Sequence, residues 1–138
     1  MMGYVLGEAL QAAVYQRLLG NPELEALVGM AIYDALPAGP VPGLYVLIGA
    51  EEVQDRSDAT GHGSQHRFWV SVVTDTDSYG RAKLVAAAVS EALSDASLPL
   101  SRGRLVGLWF ERATARRSGK ADRSRRIDLR FRARLEDS

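Results

Sequence analysis

Cysteine is absent from this chain, which excludes disulfides, thiolate nucleophiles and Cys-based metal sites in one stroke. Long apolar runs are missing too. The longest, around Leu44 to Ala50, is far shorter than the roughly 20 residues a bilayer-spanning helix needs, so no membrane association is expected. The first basic residue is Arg17, so the start lacks the positive region of a secretory signal, and folding in a reducing cytoplasm is expected. Only two histidines occur, His62 and His66. There is no phosphate-binding G-x-x-x-x-G-K-[ST] run, no H-E-x-x-H and no G-x-S-x-G. Gly119-Lys120 is followed by Ala121, and Gly61-His62-Gly63 neither follows nor opens the elements a nucleotide loop requires. Neither a cofactor nor a metal is expected.

What remains is an ordinary globular composition, 46% hydrophobic and 25% charged over 138 residues, enough for a single domain spanning 1–138. The formal net charge of zero conceals a polarity. Residues 1–100 hold 5 Lys/Arg against 12 Asp/Glu, and residues 101–138 hold 12 Lys/Arg against 5 Asp/Glu. Folding could interleave these charges, or the basic part could be a solvated tip. Alternatively the basic part meets nucleic acid, or it meets the acidic part of a neighbouring copy.

The strongest pattern lies at the end. From Arg126 to Glu136 polar and apolar residues alternate, the period of a strand with one buried face. Ile127, Leu129, Phe131, Ala133 and Leu135 share one side, and Arg126, Arg130, Arg132 and Arg134 the other. Leu105–Thr114 is more apolar, and is read as its antiparallel partner, buried on more of its surface. The basic segment 115–125 between them reads as an extended, mobile hairpin tip.

Earlier, Tyr4–Leu19 carries Leu6, Leu10, Val14 and Leu18 at helical spacing. Gly20-Asn21-Pro22 ends that helix and starts a short second one, with Asn21 as cap and Pro22 in the first turn. Ile32–Leu36 is extended, and the Pro-rich 37–43 excludes regular structure. Leu44–Gly49, running on to Val53, is read as an interior strand. It pairs through a long polar loop, 55–65, with a strand over 66–73. Thr74–Ser78 supplies capping types for a helix over 79–96 whose alanines allow close approach to a sheet. The fold class is therefore α+β: a four-stranded, mainly antiparallel sheet, β-β-α-β-β after an N-terminal helix, with helices on one face.

Catalysis finds little support. Glu51 and Glu52 are adjacent in a strand and face opposite sides. His62 and His66 near Asp55 and Asp58 fall short of a converging ligand set, and the loop reads as solvated. The arginines are the richest feature. They are a solvated face, a contact for neighbouring subunits, or a phosphate-binding surface with steep salt dependence. The segment 115–125 has no interleaved aromatic, so base stacking is not indicated.

Ile32-Tyr33-Asp34-Ala35-Leu36-Pro37, Leu44-Tyr45-Val46-Leu47-Ile48-Gly49 and Gly61-His62-Gly63 leading to His66–Val72 together resemble a phage-derived family. So do Gly80-Arg81-Ala82-Lys83, Ala86–Leu93 and the ending Phe131–Glu136. It is the tail-completion or tail-terminator family of long-tailed phages, prophages and gene transfer agents. The resemblance implies a structural virion protein, not an enzyme, that forms a hexameric ring on the last ring of the tail tube. It would end tube polymerisation and present a joining surface to the head-side connector or stopper protein, with DNA passing through the lumen without sequence-specific binding. Assembly in the bacterial cytoplasm and residence at the head–tail junction follow. The family supplies no catalytic residues to transfer. Contacts with adjacent subunits or the tail tube are expected from Asp55, Arg56, Asp58, His62, His66, Arg116, Arg117, Lys120, Arg123 and Arg125. Arg126, Arg130, Arg132 and Arg134 are candidates for a ring or lumen face. The alternative is a nucleic-acid-binding module using the arginine-rich hairpin.

Overall fold

The computed structural model describes residues 4–59, 61–76, 79–94 and 96–137. Among these residues three α-helices lie on one face of a five-stranded mixed sheet, and α1 is Gly7–Leu19, α2 Pro22–Val28 and α3 Gly80–Leu93. The strands are β1 Ile32–Tyr33, β2 Leu44–Asp55, β3 His62–Thr74, β4 Arg104–Ser118 and β5 Ser124–Asp137. Their spatial order is β1-β2-β3-β5-β4. All pairings are antiparallel except β1 with β2. The expected four-stranded sheet thus gains a fifth, two-residue strand. Ile32 and Tyr33 pair with Val46 and Leu47, because the chain leaving α2 runs beside β2 before the prolines lift it away.

The core lies between sheet and helices. On β5, Ile127, Leu129, Phe131, Ala133 and Leu135 are buried, alternating with half-buried residues. Phe131 is fully buried, stacked on Phe68 at 5.6 Å and edge-on to Phe110 at 5.9 Å between ring centroids. Leu6 just before α1, Leu10, Val14 and Leu18 within it, and Ala82, Val85, Ala88, Val89 and Ala92 of α3 close the same core. Asn21 Oδ1 accepts from the Leu24 amide at 3.0 Å, capping α2 as its sequence requires. Arg17 Nε donates to the Ala92 carbonyl and an Arg81 Nη to the Leu27 carbonyl, satisfying the C-terminal ends of α3 and α2.

The expected capping segment of α3, 74–78, is described only in part. The N-cap position is Tyr79, with no side-chain cap bond, and Asp77 and Ser78 lie outside the described residues, as does Asp95 in the expected last turn. The final hairpin also differs. β4 is the edge strand and is largely exposed, not the more buried partner. It runs through Ser118, and β5 begins at Ser124, so the tip shrinks from 115–125 to 119–123. Gly119, Ala121 and Asp122 there adopt positive φ of 78°, 57° and 55°. The 55–65 loop shrinks likewise, since the β2–β3 ladder still pairs Asp55 with Ser64.

Three register shifts re-aim side chains. An extra residue in β2 between Ile48 and Glu51 reverses its alternation, so that Glu51, not Glu52, turns toward the helices. In β4, shifts between Leu105 and Gly107 and between Phe110 and Arg112 send Glu111 and Arg112 together to the opposite face.

Candidate functional site

Among the described residues no helix covers the other face of the sheet. It carries Arg67 and Trp69 from β3, Trp109, Glu111, Arg112 and Arg116 from β4, and Arg126, Asp128, Arg130 and Arg132 from β5. Two carboxylates organise it. Glu111 Oε1 lies 3.0 Å from Arg67 Nε and 3.1 Å from Arg130 Nε, and its Oε2 is 3.9 Å from Arg132 Nε. Asp128 Oδ1 accepts from Ser71 Oγ at 2.6 Å and Arg126 Nε at 2.8 Å, with Arg116 Nε 3.4 Å from Oδ2. Burial pushes the Asp128 carboxyl up. The bond from Ser71 and the guanidinium groups of Arg126 and Arg116 outweigh that and hold it below the ordinary value.

The tryptophans meet three of the cations. Arg112 and Arg130 approach the Trp69 ring at 5.6 and 5.7 Å, and Arg132 lies 4.8 Å from the Trp109 ring centre. Gly107 makes room for this, because a Cβ there would collide with the Trp109 indole. The face is therefore net basic, with five of its six arginines sharing two carboxylates.

Each expected contact residue has a definite place. Arg126, Arg130 and Arg132 do share one face, and Arg134 follows them and donates to the Arg56 carbonyl at 2.9 Å. Arg116 joins the Asp128 cluster. Arg117, Lys120 and Arg123, exposed at the hairpin end, make no ion pair with a described residue. Arg125 points to the helix side instead. It is only 8% exposed, stacks 5.4 Å over Tyr79, and donates to the Asp122 and Ser124 carbonyls. It anchors the tip rather than extending it. Asp55, Arg56 and Asp58 build a self-bonded turn, with Arg56 N donating to Gly63 O and Asp58 N to Gly61 O. His62 is exposed, and His66 is fully buried. The two histidines therefore do not converge, and among the described residues no group of three His, Asp or Glu side chains could hold a metal ion.

His66 belongs to a chain that the sequence reading missed. Its Nε2 lies 2.9 Å from Ser64 Oγ, its Nδ1 3.0 Å from Glu51 Oε2, and Tyr4 Oη donates to Glu51 Oε1 at 2.5 Å. Burial raises the Glu51 carboxyl, but the His66 and Tyr4 bonds prevail and hold it low. The same carboxylate pushes the Tyr4 phenol up. The order Ser–His–acid matches that of a nucleophile, base and orienting group. Ser64 is wholly buried, however, leaving no room for a substrate. The alternation of β3 alone would have placed Ser64 and His66 inward beside Phe68; the bulge that delivers Glu51 had no signal.

The charge polarity survives folding. Among the described residues, the ion pairs of arginines beyond residue 100 run to Glu111, Asp128, Glu136 and Asp137, and none runs to a carboxylate of the first 100. Among the described residues one ion pair, Arg67 with Glu111, joins the two parts, so folding leaves most of the polarity in place.

The described residues thus form a small α+β unit with an open, charge-laden sheet face and a bare edge. Residues 12–136 match the model of the family described as tail completion protein gp17, and the chain belongs to that family of structural virion tail proteins. The chain is also similar to one in a solved structure of the virion of a native gene transfer agent particle, with 58% identity and a TM-score of 0.91 over 96% of this chain and 98% of that one. No curated protein matches the chain.

Proposed function

We propose that the chain closes the tail tube as a hexameric ring, ending tube polymerisation and offering the head-side connector or stopper a joining surface. The observation that carries this reading is the uncancelled charge polarity of a chain belonging to a tail-completion family. A ring repeats one heterologous contact in which two different patches meet, and a domain with an acidic and a basic pole possesses such patches. The loop residues Asp55, Arg56, Asp58 and His62, Arg116 on the sheet face and the tip residues Arg117, Lys120 and Arg123 are the outward groups for adjacent subunits or the tube. Arg125 and His66 are occupied inside the fold and drop out of that set. The ring assembles in the bacterial cytoplasm and ends at the head–tail junction.

The open face suits a lumen through which DNA moves. Tight phosphate binding requires cations free to replace counterions, whereas Arg67, Arg126, Arg130 and Arg132 already share Glu111 and Asp128. Such a wall stays net basic and attracts DNA, while the shared carboxylates tie down most of its guanidinium groups. Nothing in this role calls for catalysis.

Electron microscopy of particles from producing cells without this gene tests the proposal. The expected result is tails of uncontrolled length and heads left unjoined. Tails of normal length joined to heads would overturn it.

A further inference from the structure

Resting on the ring reading, we infer that the copies join by strand pairing: the free edge of β4 in one copy lies antiparallel along the β1–β2 edge of the next. β4 is 15 residues long, terminates the sheet and has no proline. It exposes Val106, Trp109 and Phe110 at 46%, 38% and 42%. A bare edge of this length with three exposed apolar residues invites another chain. Beside it, α3 and the helix-side residues of the hairpin form a groove of about 280 Å³ that includes Ala86, Ala87, Phe110, Ala113 and Ala115. An added strand would lay alternate side chains into that groove.

The far edge of the same sheet is the complementary one. β1 covers β2 only at Val46 and Leu47, leaving the backbone from Gly49 to Asp55 without an outer partner. That edge carries Asp34 and Glu52, exposed carboxylates with no ion pair among the described residues, while the β4 end carries Arg112, Arg117, Lys120 and Arg123 in the same condition. Strand directions agree as well. β1 and β2 run together and β4 runs opposite to them, so copies related by rotation about an axis along the strands meet antiparallel. Such a contact is heterologous and leaves one free edge for each new copy until the ring closes.

Register supplies the test. Ile48 is level with Val70, Leu129 and Ala113 across the sheet, and Asp34 follows Tyr33, which pairs with Leu47. Antiparallel neighbours bring Cα atoms to about 4.5–5.5 Å, within disulfide reach, and the chain has no cysteine of its own. An Asp34→Cys copy is mixed with an Ala113→Cys or Ala115→Cys copy, co-expressed with the tail-tube protein of the same particle and oxidised. Disulfide-linked dimers should form at one or both β4 positions, at least tenfold above a Leu84→Cys control on α3. Rings that assemble normally without these cross-links would overturn the pairing and leave the ring reading standing. Absence of any assembly, free or on tubes, would overturn both.

Discussion

Glu111 sits at a β-bulge and holds Arg67 and Arg130 from two neighbouring strands on one carboxylate oxygen, at 3.0 and 3.1 Å. One acidic side chain of β4 thus restrains the repulsion of guanidinium groups on β3 and β5. Glu111→Gln removes that restraint without removing bulk. The isolated variant is expected to bind duplex DNA more tightly than the parent and with a steeper salt slope. Filter binding between about 50 and 200 mM salt reads this. Unchanged binding would mean that the face does not meet phosphate, and would weaken the lumen assignment.

Acid stability follows from Glu51 and Asp128, whose carboxyls are both held below their ordinary values. A group whose folded pKa is depressed contributes its full stability above the unfolded pKa and loses it as pH falls through the folded value. Stability should therefore decline below about pH 4.5, the ordinary value for Glu51. Glu51→Gln should cost about 1–3 kcal/mol at neutral pH, since His66 and Tyr4 lose an ionised partner, and should flatten the acid limb. Urea unfolding across pH measures both.

Phe131 contacts two other phenylalanines and is inaccessible to solvent. Phe131→Ala should cost about 3–5 kcal/mol. A urea midpoint within a few tenths of a molar of the parent would place the centre of the core elsewhere.

At the hairpin tip, Ala121 has φ of 57°, a left-handed conformation costing an L residue about 1–2 kcal/mol. Ala121→Gly relieves it at some entropic expense, so thermal stability should rise by a net of up to about 1 kcal/mol. No change or a loss would mean that the tip is not held in that conformation.

Replacing 119–123 by Asn-Gly keeps the last ladder pair, Ser118 with Ser124, and supplies a two-residue turn. The variant should fold normally and impair ring assembly or joining, because Lys120 and Arg123 leave with the tip. Electron microscopy of particles carrying it checks the outcome.

Where a strand kept strict alternation, the chain was readable. β5 from Arg126 to Glu136 and the inward row of β3 follow the pattern, and Asn21 caps α2 as written. Bulges hid the rest. Leu105–Thr114 does not alternate, because two register shifts reassign its faces, and its apolar residues suggested burial where an edge exists. The bulge after Ile48 selects Glu51 over Glu52, so the buried link to His66 had no footprint in the spacing. β1 is too short to carry a period. Arg125 looked like one more arm cation because nothing local announces Tyr79, 46 positions earlier, as its neighbour. The resemblance carried the family, and the residues alone carried the polarity.

Both tryptophans, Trp69 and Trp109, stand on the same uncovered face. Intrinsic indole emission excited near 295 nm therefore arises wholly from that wall, each ring beside an arginine. Ultraviolet spectroscopy of the unlabelled protein becomes a gauge of what touches the wall, separable from the phenylalanine-centred interior, whose unfolding circular dichroism follows.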